Sequence, residues 1–154
     1  MTDPVLVAAR AVLDEGLDGL RRSVGGATVE LLNRRPAVDE TNSIAVIVTH
    51  ALHSTRAWLS LGVGVEPPPR DRPAEFRTVV DDVDAFLASV DAITADCRAL
   101  VDDASAFEPE RTGVATWTPE PQTVTAAWAL LHALEHLGEH AAHAQLTRQV
   151  LDGA

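Results

Sequence analysis

No lysine occurs in the 154 residues. All 12 basic side chains are arginine, set against 23 Asp and Glu, and the formal net charge is -11. An acidic surface repels phosphate backbones, which argues against nucleic acid as a partner. The missing lysine, together with abundant Ala and Val, suggests a GC-rich bacterial genome. Cysteine is nearly absent as well. The single Cys97 excludes an internal disulfide framework and a multi-cysteine zinc site, and fits a reducing cytoplasm. The N-terminus lacks a basic region followed by an apolar run, and so does not read as a signal peptide. No window approaches the roughly 18 uninterrupted apolar residues of a membrane span. The expected location is therefore cytoplasmic, with no membrane partner. Internal repeats, phosphate loops, dinucleotide fingerprints and the G-x-S-x-G nucleophile pattern are all missing. So is the period-two alternation of a long strand.

What is present is helical. Hydrophobic content is 46%, and the length suits one domain, residues 1–154, with a substantial core. Asp3-Pro4 reads as an N-cap followed by proline at the first helical position. Val5, Ala9, Val12, Leu13, Leu17, Leu20 and Val24 then recur at three- and four-residue steps, and Gly25-Gly26 closes the helix. Residues 27–40 form a connection with one helical turn at Val29–Leu32. Thr41, Asn42 or Ser43 can cap a second helix running to about Leu61, and Pro67-Pro68-Pro69 then enforce a loop. A third helix is expected from Pro73 to Val101. Its seam is Phe76, Val79/Val80, Val83, Phe86/Leu87, Val90, Ile93, Cys97 and Leu100/Val101, with Cys97 as buried packing. After a linker over 105–122, Thr123 can cap a fourth helix to about Gln149. Four long helices without strands predict an all-α four-helix bundle. Two of the connections are long enough to depart from simple up-down order.

Four of the six histidines lie in one stretch, His132-Ala-Leu-Glu-His136-Leu-Gly-Glu-His140-Ala-Ala-His143. On a helix these fall on one side, and two imidazoles at i, i+4 can share a transition metal. A third ligand must come from elsewhere. His50 suits that role, because it lies on the inward stripe Ile47, Ala51, Ser54, Trp58 and Leu61. His53 is turned toward Thr49, Arg56 and Ser60 and reads as a surface residue. Spacing leaves the fourth-helix pair open between His132/His136 and His136/His140. The helix is apolar nearly all round (Trp128, Leu131, Leu134, Leu137, Ala141, Leu146), so its periodicity does not decide.

The segment Asn42–His50, the pair in His136-Leu-Gly-Glu-His140 and the run Gln145–Gln149 resemble the DinB-like family, over essentially the whole chain. The resemblance implies a four-helix bundle of up-down-down-up order. It also implies a three-ligand divalent site, which maps onto His50, His136 and His140. His132, His143 and Glu139 become neighbours of the ligands, with Glu135 a further flanking carboxylate. Many members follow the second helix-four histidine with Arg-Gly-Gln. Here Ala141-Ala142-His143 stands instead, so substrate-binding residues do not carry over.

Three protein ligands leave a metal position open, as in catalytic sites. Characterised branches of the resembled family imply a metal-dependent transferase or isomerase that uses mycothiol, bacillithiol or glutathione. The expected cofactors are Zn²⁺ or Ni²⁺ and such a low-molecular-weight thiol, and the expected substrate is a small electrophile. Arg148 could meet a thiol's carboxylate or serve the helix dipole. Two other readings compete: a metal-binding or stress-related bundle without turnover, and an interaction module whose histidines are structural. A homodimer through an apolar helix face is compatible with each.

Overall fold

The computed structural model describes residues 3–36 and 41–153. The element order is α1 (Pro4–Val24), α2 (Val29–Asn33), α3 (Ile44–Val63), α4 (Arg72–Glu75), α5 (Val83–Asp102), β1 (Thr112–Ala115), β2 (Gln122–Thr125) and α6 (Ala126–Asp152). Residues 37–40 of the expected first connection lie outside the described residues.

Local chemistry explains the starts and stops. Asp3 accepts a hydrogen bond from the Val5 amide with Pro4 at the first helical position, which opens α1. Ser43 caps α3 through the Val46 amide, and Gly64 ends it in the left-handed region at φ 86°. α6 begins two residues later than expected. Thr125 caps it through the Trp128 amide, because Thr123 is paired with Val114 in a strand.

α1, α3, α5 and α6 make the bundle, and contacts between named residues fix their directions. Arg10 pairs with Asp102 and Arg21 with Asp91, so α1 and α5 run antiparallel. His50 faces His136 and His140 while Gly62 abuts Leu130, so α3 and α6 are antiparallel. Gly16 meets Leu137 and Arg148 reaches the Ser23 carbonyl, so α1 and α6 are parallel. Arg56 pairs with Asp96, and farther along both helices Val63 shares a cleft with Asp103, so α3 and α5 are parallel. The order is up-down-down-up. Leu13, Leu17 and Leu20 of α1, Leu52 and Leu59 of α3, and Leu130 and Leu137 of α6 are almost fully enclosed between the helices.

Three expectations need correction. The third helix is not continuous from Pro73. A single turn, α4, runs into a further turn at Phe76–Arg77 and then irregular chain, and α5 starts at Val83 with Asp82 as its cap. At the break the Asn33 side chain donates to the Val80 carbonyl and accepts from the Val80 amide. Both backbone groups that a helix would have bonded are thus satisfied elsewhere. Val80 is buried and Val79 is not. The second correction is a short antiparallel hairpin within the expected linker, with Thr112 opposite Thr125 and Ala115 opposite Gln122. Both strands are short and largely exposed, Thr-Gly-Val-Ala against Gln-Thr-Val-Thr, so neither shows a buried apolar face in its sequence. The third concerns the apolar stripes. Val5 and Val12 continue the apolar stripe of α1 but are exposed, and on α6, whose periodicity left its buried face open, Trp128, Leu131 and Leu146 are on the outside.

The hairpin matters for position. Gly113 lies so close to α3 that any Cβ would collide with Leu61. Arg111 donates to the Leu61 and Gly62 carbonyls at 2.7 and 2.9 Å, satisfying groups left over at the helix end. The hairpin is thereby pinned against the C-terminal end of α3, and its turn brings Trp117 onto Trp58.

Candidate metal centre

His50 projects from the buried face of α3 and is 6% exposed. Opposite it, one turn apart on α6, stand His136 and His140. The ring centroids of His50 lie 5.3 Å from His136 and 5.1 Å from His140. One nitrogen from each of the three imidazoles lies within 4.8 Å of the others. The Nε2 atoms of His136 and His140 are 3.2 Å apart. Two nitrogens on one tetrahedral ion at ordinary zinc–imidazole distances sit about 3.3 Å apart, so this pair already has the spacing a shared ion requires.

The remaining nitrogens define the donor set. Glu75 lies 2.8 Å from His50 Nδ1. The carboxylate accepts that N–H, so the Nε2 lone pair of His50 is left for a ligand. Glu75 is 5% exposed. It also accepts from Arg70 Nε at 2.6 Å and Arg70 Nη2 at 2.9 Å, a two-pronged pair in which both side chains are 5% exposed. Burial pushes the Glu75 carboxyl upward, but its bonds to His50 and Arg70 outweigh this and hold it below the usual carboxylate value. The Nδ1 atoms of His136 and His140 are buried without a hydrogen-bond partner. Burial, then the neighbouring histidines His140 and His50, lower His136 to about 3. Burial, then His50 and His143, lower His140 to about 4. Both imidazoles are therefore neutral at physiological pH, the form in which histidine binds a metal. Neutral rings whose Nε2 atoms stand 3.2 Å apart, beside a His50 whose proton is held on Nδ1, offer lone pairs that suit a divalent ion, and the protons of His136 and His140 then sit on their buried Nδ1 atoms.

The other candidates are placed as follows. His132 stacks on Trp128 at 4.6 Å, and its Nδ1 lies 3.3 Å from Glu135. Its ring is 5.7 Å from His136, beside the three converging histidines and not among them. His143 and Glu139 are exposed. Among the described residues Glu139 makes no hydrogen bond to the three imidazoles. Arg148 is engaged structurally, with Asp152 and with the Ser23 and Gly25 carbonyls. His53 is half-buried, not a surface residue, and burial lowers its pKa. Cys97 is fully enclosed, and burial pushes its thiol up to about 12, so it is an inert packing group.

Glu75 and Arg70 were not singled out by sequence reasoning. Glu75 is 25 positions from His50 and sat inside what looked like a continuous helix. Only the break after α4 frees that turn to lean on α3.

A cleft of about 180 Å³ reaches the histidines. His50, Ser54, Trp58, Arg70, Trp117 and His136 are among its lining residues. A larger cleft of about 610 Å³ shares Arg70 and Trp117 with it. No helix among the described residues is long and apolar enough to cross a membrane.

Comparison with known proteins agrees with this architecture. A sequence profile described as mycothiol-S-transferase matches residues 8–153. The fold is similar to that in the crystal structure of a conserved protein from Enterococcus faecalis, with a TM-score of 0.73 and 20% identity. The match covers 100% of this chain and 99% of that one. No curated protein matches the sequence significantly.

Proposed function

The chain belongs to the mycothiol-S-transferase family, of the DinB-like kind, and from that premise we propose that it is a divalent-metal-dependent thiol transferase. The metal ligands in this reading are His50, His136 and His140. The observation that carries it is the convergence of three imidazoles, with one nitrogen each within 4.8 Å, two of which, His50 and His136, line a cleft.

A divalent ion bound there supplies Lewis acidity that favours the thiolate form of a thiol, the stronger nucleophile. Imidazole ligands suit Zn²⁺ and Ni²⁺ alike. The chain's own contributions are specific. Glu75 holds His50 in the tautomer that presents Nε2. The low pKa values of His136 and His140 keep both rings neutral, so protons do not compete for their lone pairs near pH 7. The cleft leaves the fourth side of the site open to small molecules. The larger adjoining cleft, with Glu66, Arg111 and Thr116 among its residues, has room for the polar body of a low-molecular-weight thiol such as mycothiol. In the net reaction one C–S bond forms, the leaving group departs with its bonding pair, and the thiol proton passes to water.

The test is elemental analysis of protein purified without a His tag, alongside His50→Ala, His136→Ala and His140→Ala. Near-stoichiometric metal that is lost in all three variants supports the site. Absence of metal, with no uptake of added Zn²⁺ or Ni²⁺, refutes it. If His132→Ala abolishes binding while His140→Ala does not, the ligand pair is misassigned. Mycothiol, bacillithiol and glutathione, each offered with a haloalkane and a haloarene, then separate a transferase from a metal-binding bundle without turnover.

A further inference from the structure

The chain contains three Trp and no Tyr, and all three Trp gather at one place. Trp58 meets Trp117 at 5.0 Å and Trp128 at 5.3 Å between ring centroids, both nearly edge-on. His132 extends this assembly, 4.9 Å from Trp58 and stacked on Trp128. A core histidine cluster does not require such a wall, and Trp117 comes from the hairpin turn, not from the bundle. Trp58, Trp117 and His132 line the same small cleft as His50 and His136. The indole N–H of Trp117 is buried without a partner, so the wall also holds an unspent donor.

We propose that this cleft is the acceptor subsite and that it takes a planar, single-ring aromatic electrophile; the proposal rests on reading the three histidines as the centre of thiol transfer. Size limits the occupant. An enclosed cavity of about 150 Å³ accommodates benzene, so the 180 Å³ cleft has room for one ring, while the bulk of a thiol cofactor finds more room in the 610 Å³ cleft beyond Arg70 and Trp117. Shape limits it further. Ring walls favour a ring occupant through offset and edge-to-face contacts, each improving binding roughly two- to tenfold over a plain apolar surface. The rim adds charge. Arg72 is exposed at the cleft, 5.0 Å over the Phe76 ring, and has no carboxylate partner among the described residues. An aromatic carbon becomes electrophilic when the ring carries a leaving group and an electron-withdrawing substituent such as nitro or carboxylate, and Arg72 is placed to meet such a substituent. The corresponding reaction forms the sulfur–ring bond and breaks the ring–halide bond. The halide leaves with its electron pair and the thiol proton goes to water.

Because there is no Tyr, intrinsic fluorescence reports on this wall alone. The untagged protein, without thiol, is titrated with nitrobenzene and separately with nitromethane, with absorbance correction. Both carry the same quenching group, but only one has a ring. Saturable quenching by nitrobenzene and merely linear quenching by nitromethane is the expected result. Trp117→Leu and His132→Ala should each raise the saturation midpoint at least fivefold, with circular dichroism unchanged. Non-saturable quenching by nitrobenzene in the natural protein, or a midpoint unmoved in both variants, overturns the assignment. The two readings fail separately. Saturable ring binding in a protein that takes up no metal removes the thiol-transfer centre and keeps the aromatic subsite. Metal uptake with transfer to haloalkanes but no saturable ring binding removes the subsite alone.

Discussion

Replacing Glu75 by leucine should damage stability and metal binding together, through two different partners. Glu75 and Arg70 form an ion pair whose side chains are each 5% exposed, with contacts of 2.6 and 2.9 Å. The same carboxylate anchors His50 Nδ1 at 2.8 Å. Removing one partner of a buried pair leaves an uncompensated charge, at a cost of roughly 3–5 kcal/mol. For a chain of this length each kcal/mol lowers Tm by about 2–4 °C, so the expected loss is roughly 6–20 °C. Loss of an anchoring partner behind a metal ligand weakens metal affinity by about 10- to 100-fold. Thermal unfolding followed by circular dichroism, with chelator present, reads the first effect free of metal linkage. Competition with a chelator for Zn²⁺ reads the second. Adding Arg70→Met removes the stranded charge and should restore most of the lost stability, because an apolar pair can replace a buried ion pair without penalty. It should not restore the Zn²⁺ affinity, since His50 is still unanchored. A Tm change below about 3 °C combined with unaltered Zn²⁺ affinity would refute the role assigned to Glu75.

Two glycines of the helices should respond oppositely to alanine. At Gly16 a Cβ would stand 2.6 Å from Leu137 Cγ, and Leu137 is 0% exposed. Overpacking of about 1–3 kcal/mol exceeds the helix-propensity gain of about 1 kcal/mol, so Gly16→Ala should lower the urea midpoint. Gly138 meets nothing within 4 Å, and Gly138→Ala should raise that midpoint through a stabilisation of about 0.5–1 kcal/mol; the same sign in both would contradict the close α1–α6 approach. The metal-free protein should also lose stability in acid. The folded state holds His136 and His140 below their unfolded value of 6.5, at about 3 and about 4. Between pH 6.5 and 4 the unfolded chain therefore binds more protons than the folded one, and stability falls as pH falls. Unfolding curves of a His136→Gln/His140→Gln double variant should be flatter over that window, and a flat curve for the natural protein would sink the argument.

Much of the bundle is legible in short-range patterns. Asp3-Pro4 and Gly64 mark helix ends through the demands of their own backbone positions. The three- and four-residue recurrence of Leu13, Leu17 and Leu20 marks a buried stripe. The same periodicity places His136 and His140 one turn apart and puts His50 on an inward face. It misjudges Val5 and Val12, which continue the apolar pattern but lie exposed, because a pattern shows that a face is apolar and not what covers it. The break between α4 and α5 escapes for a related reason. Phe76 to Val83 has helical spacing, yet Asn33 takes the Val80 backbone groups from 47 positions away, a competition no local window contains.

Residue spacing alone therefore determined that four helices form and that a row of imidazoles lies along the last of them, since both depend on neighbours within a few positions. Choosing His136 and His140 from the row required a family resemblance. The tertiary structure decided what stands around them: Glu75 behind His50, Arg70 behind Glu75, and Trp117 swung from the hairpin onto Trp58. The Glu75–His50 and Trp117–Trp58 contacts join residues far apart in the chain, and Arg70 reaches Glu75 only because the turn of α4 is set against α3; helix order and crossing points fix these placements, quantities that no single segment encodes.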